Sequence, residues 1–136
     1  MKKIPSLLAI VAVFTPFLAS AAGAENFAGE WADKNYHGNS VFQLSVEQRG
    51  NAVSIYFNAN RKDGGGAAPE GDGKGTATGK GVLEFTWSDS FSNAGKGTIR
   101  KVGADVIVSM KATRVADSRC LVFYGDNIRL KPAAKK

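Results

Sequence analysis

A short polar run between two apolar stretches has the residue types of a catalytic or ligand-binding loop. It contains Asp89, Ser90, Ser92 and Asn93. Ser90 lacks the Gly-x-Ser-x-Gly context that supports a nucleophile, whereas Asp and Ser side chains readily bond to nearby backbone. We therefore interpret the run as a hairpin turn in which Asn93 and Gly95 tolerate positive φ, and we assign no catalytic residue.

Histidine and cysteine each occur once, as His37 and Cys120. A triad of His37 with Asp33 or Asp89 and Ser90 has no supporting motif, and a metal site needs several ligands, so the sequence predicts neither a metal nor a cofactor. A single cysteine cannot form an internal disulfide. The sequence leaves three possibilities for Cys120: a buried thiol, an exposed thiol or half of an intermolecular bridge. Strand period places Cys120 on the same face as Val122, which favours burial in a strand.

The longest irregular stretch is DGGGAAPEGDGKG, residues 63–75. Lys74 is followed by Gly75 rather than Ser or Thr, which departs from a phosphate-binding loop, and Glu70 with Asp72 supplies too few ligands for a calcium loop. We interpret the stretch as a flexible connection. The alternative is a mobile loop that covers a binding site.

The first 24 residues have the layout of a cleavable secretory signal. Lys2 and Lys3 precede an apolar run, and small residues end in Ala22-Gly23-Ala24, as expected before a cleavage site. The apolar run, 7–18, is shorter than the roughly 20 residues of a membrane span. We expect cleavage after this site, one mature domain over residues 25–136, no transmembrane segment, and a periplasmic or secreted location.

Charge is divided unevenly along the expected mature chain. Residues 25–95 contain six basic and nine acidic residues, whereas residues 96–136 contain ten basic and three acidic residues. The basic C-terminal third predicts attraction to an anionic surface such as lipopolysaccharide or anionic lipid. The alternative is that these charges are solvated outward positions of strands. Export argues against nucleic acid as a partner.

Strand period dominates from Ser40 onward, as in VFQLSVEQ, AVSIYFNAN, GVLEFTW and DVIVSMKA. One apolar face per strand indicates an antiparallel sheet that covers a core on one side, and the glycine-containing breaks are typical of tight hairpins. The predicted strands are 27–36, 40–48, 52–61, 74–79, 82–89, 95–102, 105–115 and 120–131. Such a meander closes most economically into a single all-β, up-and-down antiparallel barrel of about eight strands.

The segment NFAGEW places Gly29 and Trp31 at the start of the first predicted strand. This pair resembles the Gly-x-Trp mark of lipocalins and the wider calycin group. The resemblance implies a small exported bacterial barrel in which an arginine of the last strand packs across the tryptophan at the closed end. Arg129 matches that arginine by its place in the chain.

Alternation points a set of aromatic side chains into the predicted barrel: Trp31, Phe42, Phe57, Phe85 and Trp87. Because ligand sites are mostly apolar, our first hypothesis is a non-catalytic periplasmic binding protein. These residues would hold a small apolar or amphipathic ligand in or at the mouth of the barrel. Inward positions that are almost all apolar argue against an enzyme.

The alternative function is a protein-interaction module, such as an inhibitor of a secreted hydrolase or an envelope accessory factor. The acidic half of the chain would suit a basic partner protein, and the basic third would suit an anionic one. An eight-stranded barrel can also be filled entirely by its own side chains, which would leave no room for a ligand.

Overall fold

Eight antiparallel strands form one closed barrel in the computed structural model, which describes residues 25–133. The predicted signal peptide, 1–24, lies outside the described residues. The strands are β1 Gly29–Tyr36, β2 Ser40–Arg49, β3 Ala52–Arg61, β4 Glu70–Ala77, β5 Val82–Asp89, β6 Ala94–Val102, β7 Asp105–Arg114 and β8 Ile128–Pro132. Each strand pairs with its neighbours in sequence, and β8 pairs back onto β1. The predicted up-and-down barrel, with a lipocalin-like topology, is therefore confirmed.

The fourth strand is longer than the sequence pattern indicates. Residues 70–73 lie in the predicted loop and ahead of the predicted strand, 74–79, but they form the first half of β4 and pair in continuous register with β3 and β5. The prediction was wrong because the inward positions of this strand are Gly71, Gly73 and Gly75, which give no apolar signal. The true connection, 62–69, is anchored by a bond from the amide of Ala59 to the carbonyl of Pro69.

The last predicted strand, 120–131, is wrong in its first part. Residues Ser118–Phe123 form a 3-10 helix, and Asn127, with a φ of 57°, precedes the short β8. Asp117 caps the helix by accepting a hydrogen bond from the amide of Arg119. Within the described part of the chain, no helix is long and apolar enough to cross a membrane.

The connection between β7 and β8, residues 115–127, covers one end of the barrel, and we call it the plug. Phe123 and Cys120 of the plug are buried in the core. The hydroxyl of Tyr36 donates to the carbonyl of Phe123 at 2.9 Å, and the amide of Met110 donates to the carbonyl of Gly125 at 2.8 Å. Contacts with β1 and β7 thus hold the plug on the barrel.

The segment before β1 covers the opposite end. Phe27 is fully buried, and its amide donates to the side-chain oxygen of Gln48 at 2.8 Å. The carboxylate of Glu25 accepts a hydrogen bond from the amide of Gly81 at 2.9 Å. Apolar side chains therefore seal the barrel at both ends, which leaves its outer face as the surface open to a partner.

Candidate functional site

The five aromatic residues predicted to bind a ligand all lie in the packed core. Trp31, the most exposed of them, has 7% of its surface accessible. The rings of Phe42 and Phe57 stack at 6.4 Å, and Trp87 meets Phe57 edge-on at 5.9 Å. Phe85 is buried beside them in the same cluster. The structure thus brings these residues together, but their apolar surface is occupied by one another.

Glycines on the two strands beside β5 create the space that its large rings fill. Gly73 and Gly75 of β4, and Gly95 and Gly97 of β6, lie opposite Trp87 and Phe85. A Cβ added at any of these four glycines would clash with a neighbouring strand. At Gly95 it would lie 2.7 Å from the indole ring of Trp87. The barrel is consequently filled where a ligand cup would be expected.

The predicted closure residues are only partly brought together. Gly29 has a φ of 148°, and a Cβ at this position would touch the ring of Trp31. The indole nitrogen of Trp31 donates to the carbonyl of Phe27 at 3.3 Å. Phe27 therefore covers the tryptophan at this end of the barrel.

Arg129 does not pack across Trp31, so that prediction is wrong. Ile128 and Leu130 are buried, so alternation sends Arg129 to the outer face of β8, with its guanidinium bonded to Asp105 at 2.8 Å. Hydrogen bonds from this arginine hold the pKa of the Asp105 carboxyl below its usual value. The match by chain position overlooked the alternation of Ile128, Arg129 and Leu130, which by itself places Arg129 on the outer face.

The polar run after β5 is connected by hydrogen bonds to the plug, and we call Asp89, Asn93 and Tyr124 the latch. Asp89 accepts hydrogen bonds from the amides of Phe91 and Asn93, from the side-chain amide of Asn93, and from the hydroxyl of Tyr124 at 2.6 Å. Burial alone would raise the pKa of Asp89, but these bonds outweigh it and lower the pKa. The hairpin interpretation is confirmed, but the expected positions of positive φ are wrong: Ser92 adopts it, with a φ of 68°, whereas Asn93 does not and Gly95 lies within β6.

Asn93 extends the latch to the plug. It is fully buried, and its side-chain oxygen accepts the amides of Ala116 and Asp117 at 2.7 and 2.9 Å. Its side-chain nitrogen donates to the carbonyl of Asp117. Burial and the nearby carboxylate of Asp89 raise the pKa of Tyr124, which keeps its hydroxyl a donor. The polar groups here hold the plug in place.

No described hydrogen bond joins His37 to Asp33, Asp89 or Ser90, so the triad considered from the sequence is not assembled; Asp33 accepts instead from the amide of Asn35. His37 lies in the exposed turn after β1 and stacks on Tyr36 with ring centroids 3.9 Å apart. The hydroxyl of Ser90 accepts the amide of Glu70 at 3.1 Å. Within residues 25–133, no group of three or more His, Cys, Asp or Glu residues is placed to hold a metal.

Cys120 is buried as expected, but the strand alternation behind that prediction is wrong, because Cys120 lies in the 3-10 helix and Val122, which was placed on the same inward face, is 62% exposed. Burial and the nearby carboxylate of Asp89 raise the pKa of its thiol to about 11. Phe91 is half-buried beside the plug, with the guanidinium of Arg119 at 5.6 Å from its ring. Neither residue presents a reactive group to solvent.

A groove of about 580 Å³ crosses the outer face of β4, β5, β6 and β7. Three lysines and four hydroxyl-bearing residues contribute to its lining, together with two acidic residues, Glu84 and Asp126. The same glycines that admit the large rings inside contribute backbone to the groove at Gly75 and Gly97. The candidate site is therefore outside the barrel.

Strand register places the three lysines of the groove in one line. Lys74 lies opposite Thr86, Thr86 lies opposite Lys96, and Lys96 lies opposite Lys111. We call these four residues the lysine row. Adjacent strands are about 4.8 Å apart, so the row extends roughly 14 Å across the sheet. It offers ammonium and hydroxyl donors to a ligand that lies across the strands.

The positive charges of the lysine row are not neutralised within the described residues. The ion pairs between residues 25 and 133 are Arg61–Asp63, Arg119–Asp117, and Asp105 with both Arg129 and Lys131. Like charges directly opposite each other destabilise a sheet, so the juxtaposition of Lys96 and Lys111 costs stability. An anionic partner would remove that cost.

A second line of residues runs beside the lysine row on the same face. Thr76 lies opposite Glu84, Glu84 opposite Thr98, and Thr98 opposite Ser109. Glu84 is therefore the carboxylate between the hydroxyls of this line. Sequence alternation alone marks these residues as outward, but only the register shows that they form one surface.

Comparison of the chain with protein-family models, with curated proteins and with solved structures gave no match. Function must therefore be inferred from the chemistry of the barrel surface.

Proposed function

We propose that this protein is a non-catalytic, exported binding module that acts through its outer face and binds an anionic partner of the cell envelope. The observation that carries the proposal is the directly opposed pair Lys96 and Lys111, which has no ion-pair partner among residues 25–133 and lines a groove. Natural sheets usually avoid such pairs, and violations of local rules concentrate at functional sites.

Further support comes from the distribution of charge over the barrel. Seven basic residues of the last three strands are exposed: Lys96, Arg100, Lys101, Lys111, Arg114, Arg129 and Lys131. Lys101 and Arg114 lie at opposite ends of the barrel, where they donate to the carbonyls of Asn26 and Ser92, and the other five lie on the outer face. Lys74 of β4 adds to them through the strand register. This arrangement favours the interaction-module alternative, with an anionic surface rather than a basic hydrolase as its partner.

An internal apolar ligand receives less support. The aromatic residues that would bind it pack against one another, and both ends of the barrel are covered. Small ligand sites bury most of a ligand in a pre-formed pocket. The five outer clefts of the described residues contain charged or polar side chains instead.

A relationship to lipocalins and other calycins also remains a proposal. The contact of Gly29 with Trp31 supports it, as does the order of the strands. The position of Arg129 on the outer face does not.

The proposal can be tested with the exported protein, purified in the form that cells produce, and dextran sulfate as the probe. We expect saturable binding that weakens with salt, and a loss of about tenfold or more in affinity for the double variant Lys96→Glu, Lys111→Glu. The matched control is Lys34→Glu, Lys80→Glu, which makes the same charge change at exposed positions outside the groove.

Circular dichroism would show that both double variants fold. Equal losses in the two would contradict a site in the groove, and absence of binding to the probe by the unmodified protein would contradict the proposed function.

A further inference from the structure

We infer that the ligand of the groove is a linear, phosphate-bearing polyanion whose chain lies across the strands along the lysine row. This inference rests on the proposed function and adds the class and the direction of the ligand. It is carried by the register that aligns Lys74, Thr86, Lys96 and Lys111 on four consecutive strands.

The spacing of the row suits a chain with repeated charges. Lys96 and Lys111 are neighbours at about 5 Å, and Lys74 is about 10 Å from Lys96, with the hydroxyl of Thr86 between them. A single small anion would contact one or two of these donors, whereas a chain can contact all four. The row crosses the groove, and a linear chain that lies in the groove can follow the whole row.

The residue types of the row favour tetrahedral oxyanions. Its cations are all lysines, which bind phosphate as compact point charges. Planar carboxylates are recognised more specifically by the forked guanidinium of arginine, and the described lining of the groove contains no arginine. Phosphate groups therefore match the available donors better than the carboxylates of an acidic polysaccharide.

Glu84 defines the edge of the proposed binding path. Its carboxylate lies in the neighbouring line, between Thr76 and Thr98. A negative charge beside the row repels an anionic chain that drifts toward that side, so the chain is confined to the row. Removing this charge should strengthen binding to polyphosphate while weakening the confinement.

The experiment uses long-chain inorganic polyphosphate as the probe, with affinity measured by titration calorimetry from about 50 to 200 mM salt. Lys74→Gln, Lys96→Gln and Lys111→Gln should each weaken binding about threefold or more and reduce the salt slope by close to one. Lys34→Gln and Lys80→Gln, at exposed positions outside the groove, should leave both quantities unchanged. Glu84→Gln should increase the affinity.

Three further arms distinguish the sources of anionic charge. Monophosphate at the same total phosphate should bind far more weakly than the polymer, and the carboxylate polymer polygalacturonate should bind less tightly than polyphosphate. Vesicles of phosphatidylglycerol should not compete with polyphosphate for the row.

Competition by vesicles, equal binding of monophosphate, preference for polygalacturonate, or equal losses in row and control variants would each overturn the linear phosphate ligand. Those results would leave an anion-binding protein in place. Failure of every anionic probe to bind would instead overturn the proposed function itself.

Discussion

Asp89 shows how a residue with catalytic chemistry is used for structure. Its two carboxylate oxygens accept four hydrogen bonds, two from backbone amides and two from the side chains of Asn93 and Tyr124. A carboxylate with that many donors has little basicity left for proton transfer, because each donor stabilises its charged form. The latch therefore explains why the polar run has these residue types without invoking a reaction.

Asp89→Asn should lower the free energy of unfolding near pH 7 by about 1 to 3 kcal/mol, because buried donors lose a charged acceptor. Burial opposes the shift, but the hydrogen bonds to Asp89 lower its folded-state pKa below the ordinary value for an aspartate, so its contribution to stability is present above that ordinary value and is lost as pH falls through the folded-state pKa. The variant should consequently lose less stability than the unmodified protein on acidification below pH 4. Urea unfolding at several pH values measures both effects.

Asp72→Asn is the matched control because Asp72 is exposed on the outer face of β4 and has no described ion pair. If it matched Asp89→Asn at pH 7, the latch would not be a source of stability.

At the scale of elements, the glycine positions of β4 and β6 determine how β5 packs. Each of these strands presents glycine inward, opposite Phe85 and Trp87, so two large rings fit within a barrel of eight strands. Gly71 continues the pattern on β4, where an added Cβ would lie 2.5 Å from the carbonyl oxygen of Ser88. As a consequence, β4 and β6 contribute few side chains of their own to the core.

Gly95→Ala should destabilise the protein by about 1 to 3 kcal/mol or more, because the added methyl group overpacks the core. It would clash with the carbonyl of Lys111 and lie 2.7 Å from the indole of Trp87. Gly125→Ala is the matched control, since a Cβ added at Gly125 would have no atom within 4 Å. This variant should change stability by less than about 0.5 kcal/mol. Thermal and urea unfolding of the two variants would test this, and equal stabilities would contradict the packing account.

At the scale of the whole molecule, the interior of the barrel is filled and both ends are covered, so we expect a partner to bind at the outer face. Phe27 covers one end, the plug covers the other, and the aromatic cluster occupies the interior. Such a barrel is a rigid scaffold, and its strand register sets the position of every outward side chain. The lysine row is a product of this closure because its members come from four different strands.

The unmodified protein should bind no apolar probe in its interior. Titration with N-phenyl-1-naphthylamine should give no saturable fluorescence increase, whereas Trp87→Ala should open a cavity and destabilise the fold by about 3 to 5 kcal/mol. Tyr56→Ala, at a side chain that is 57% exposed on β3, controls for probe bound to the surface. Saturable binding by the unmodified protein that Trp87→Ala abolished in a folded state would restore the internal ligand site.

The sequence by itself determined the all-β class, the hairpin order and the inward residues of most strands. These features depend on local alternation and on turn residues, which act over a few positions. It also identified Phe42, Phe57, Phe85 and Trp87 as neighbours in the interior, because strand period assigns each side chain to a face.

Only the tertiary structure decided what fills the barrel and where charged residues meet. The inward glycines of β4 gave no apolar alternation from which its first half could be predicted. The 3-10 helix of the plug occupies the start of the last predicted strand, and Arg129 pairs with Asp105. The lysine row likewise depends on the register between strands. Register follows from pairing between distant segments and from the volume of the rings between them, and neither is encoded in the local period.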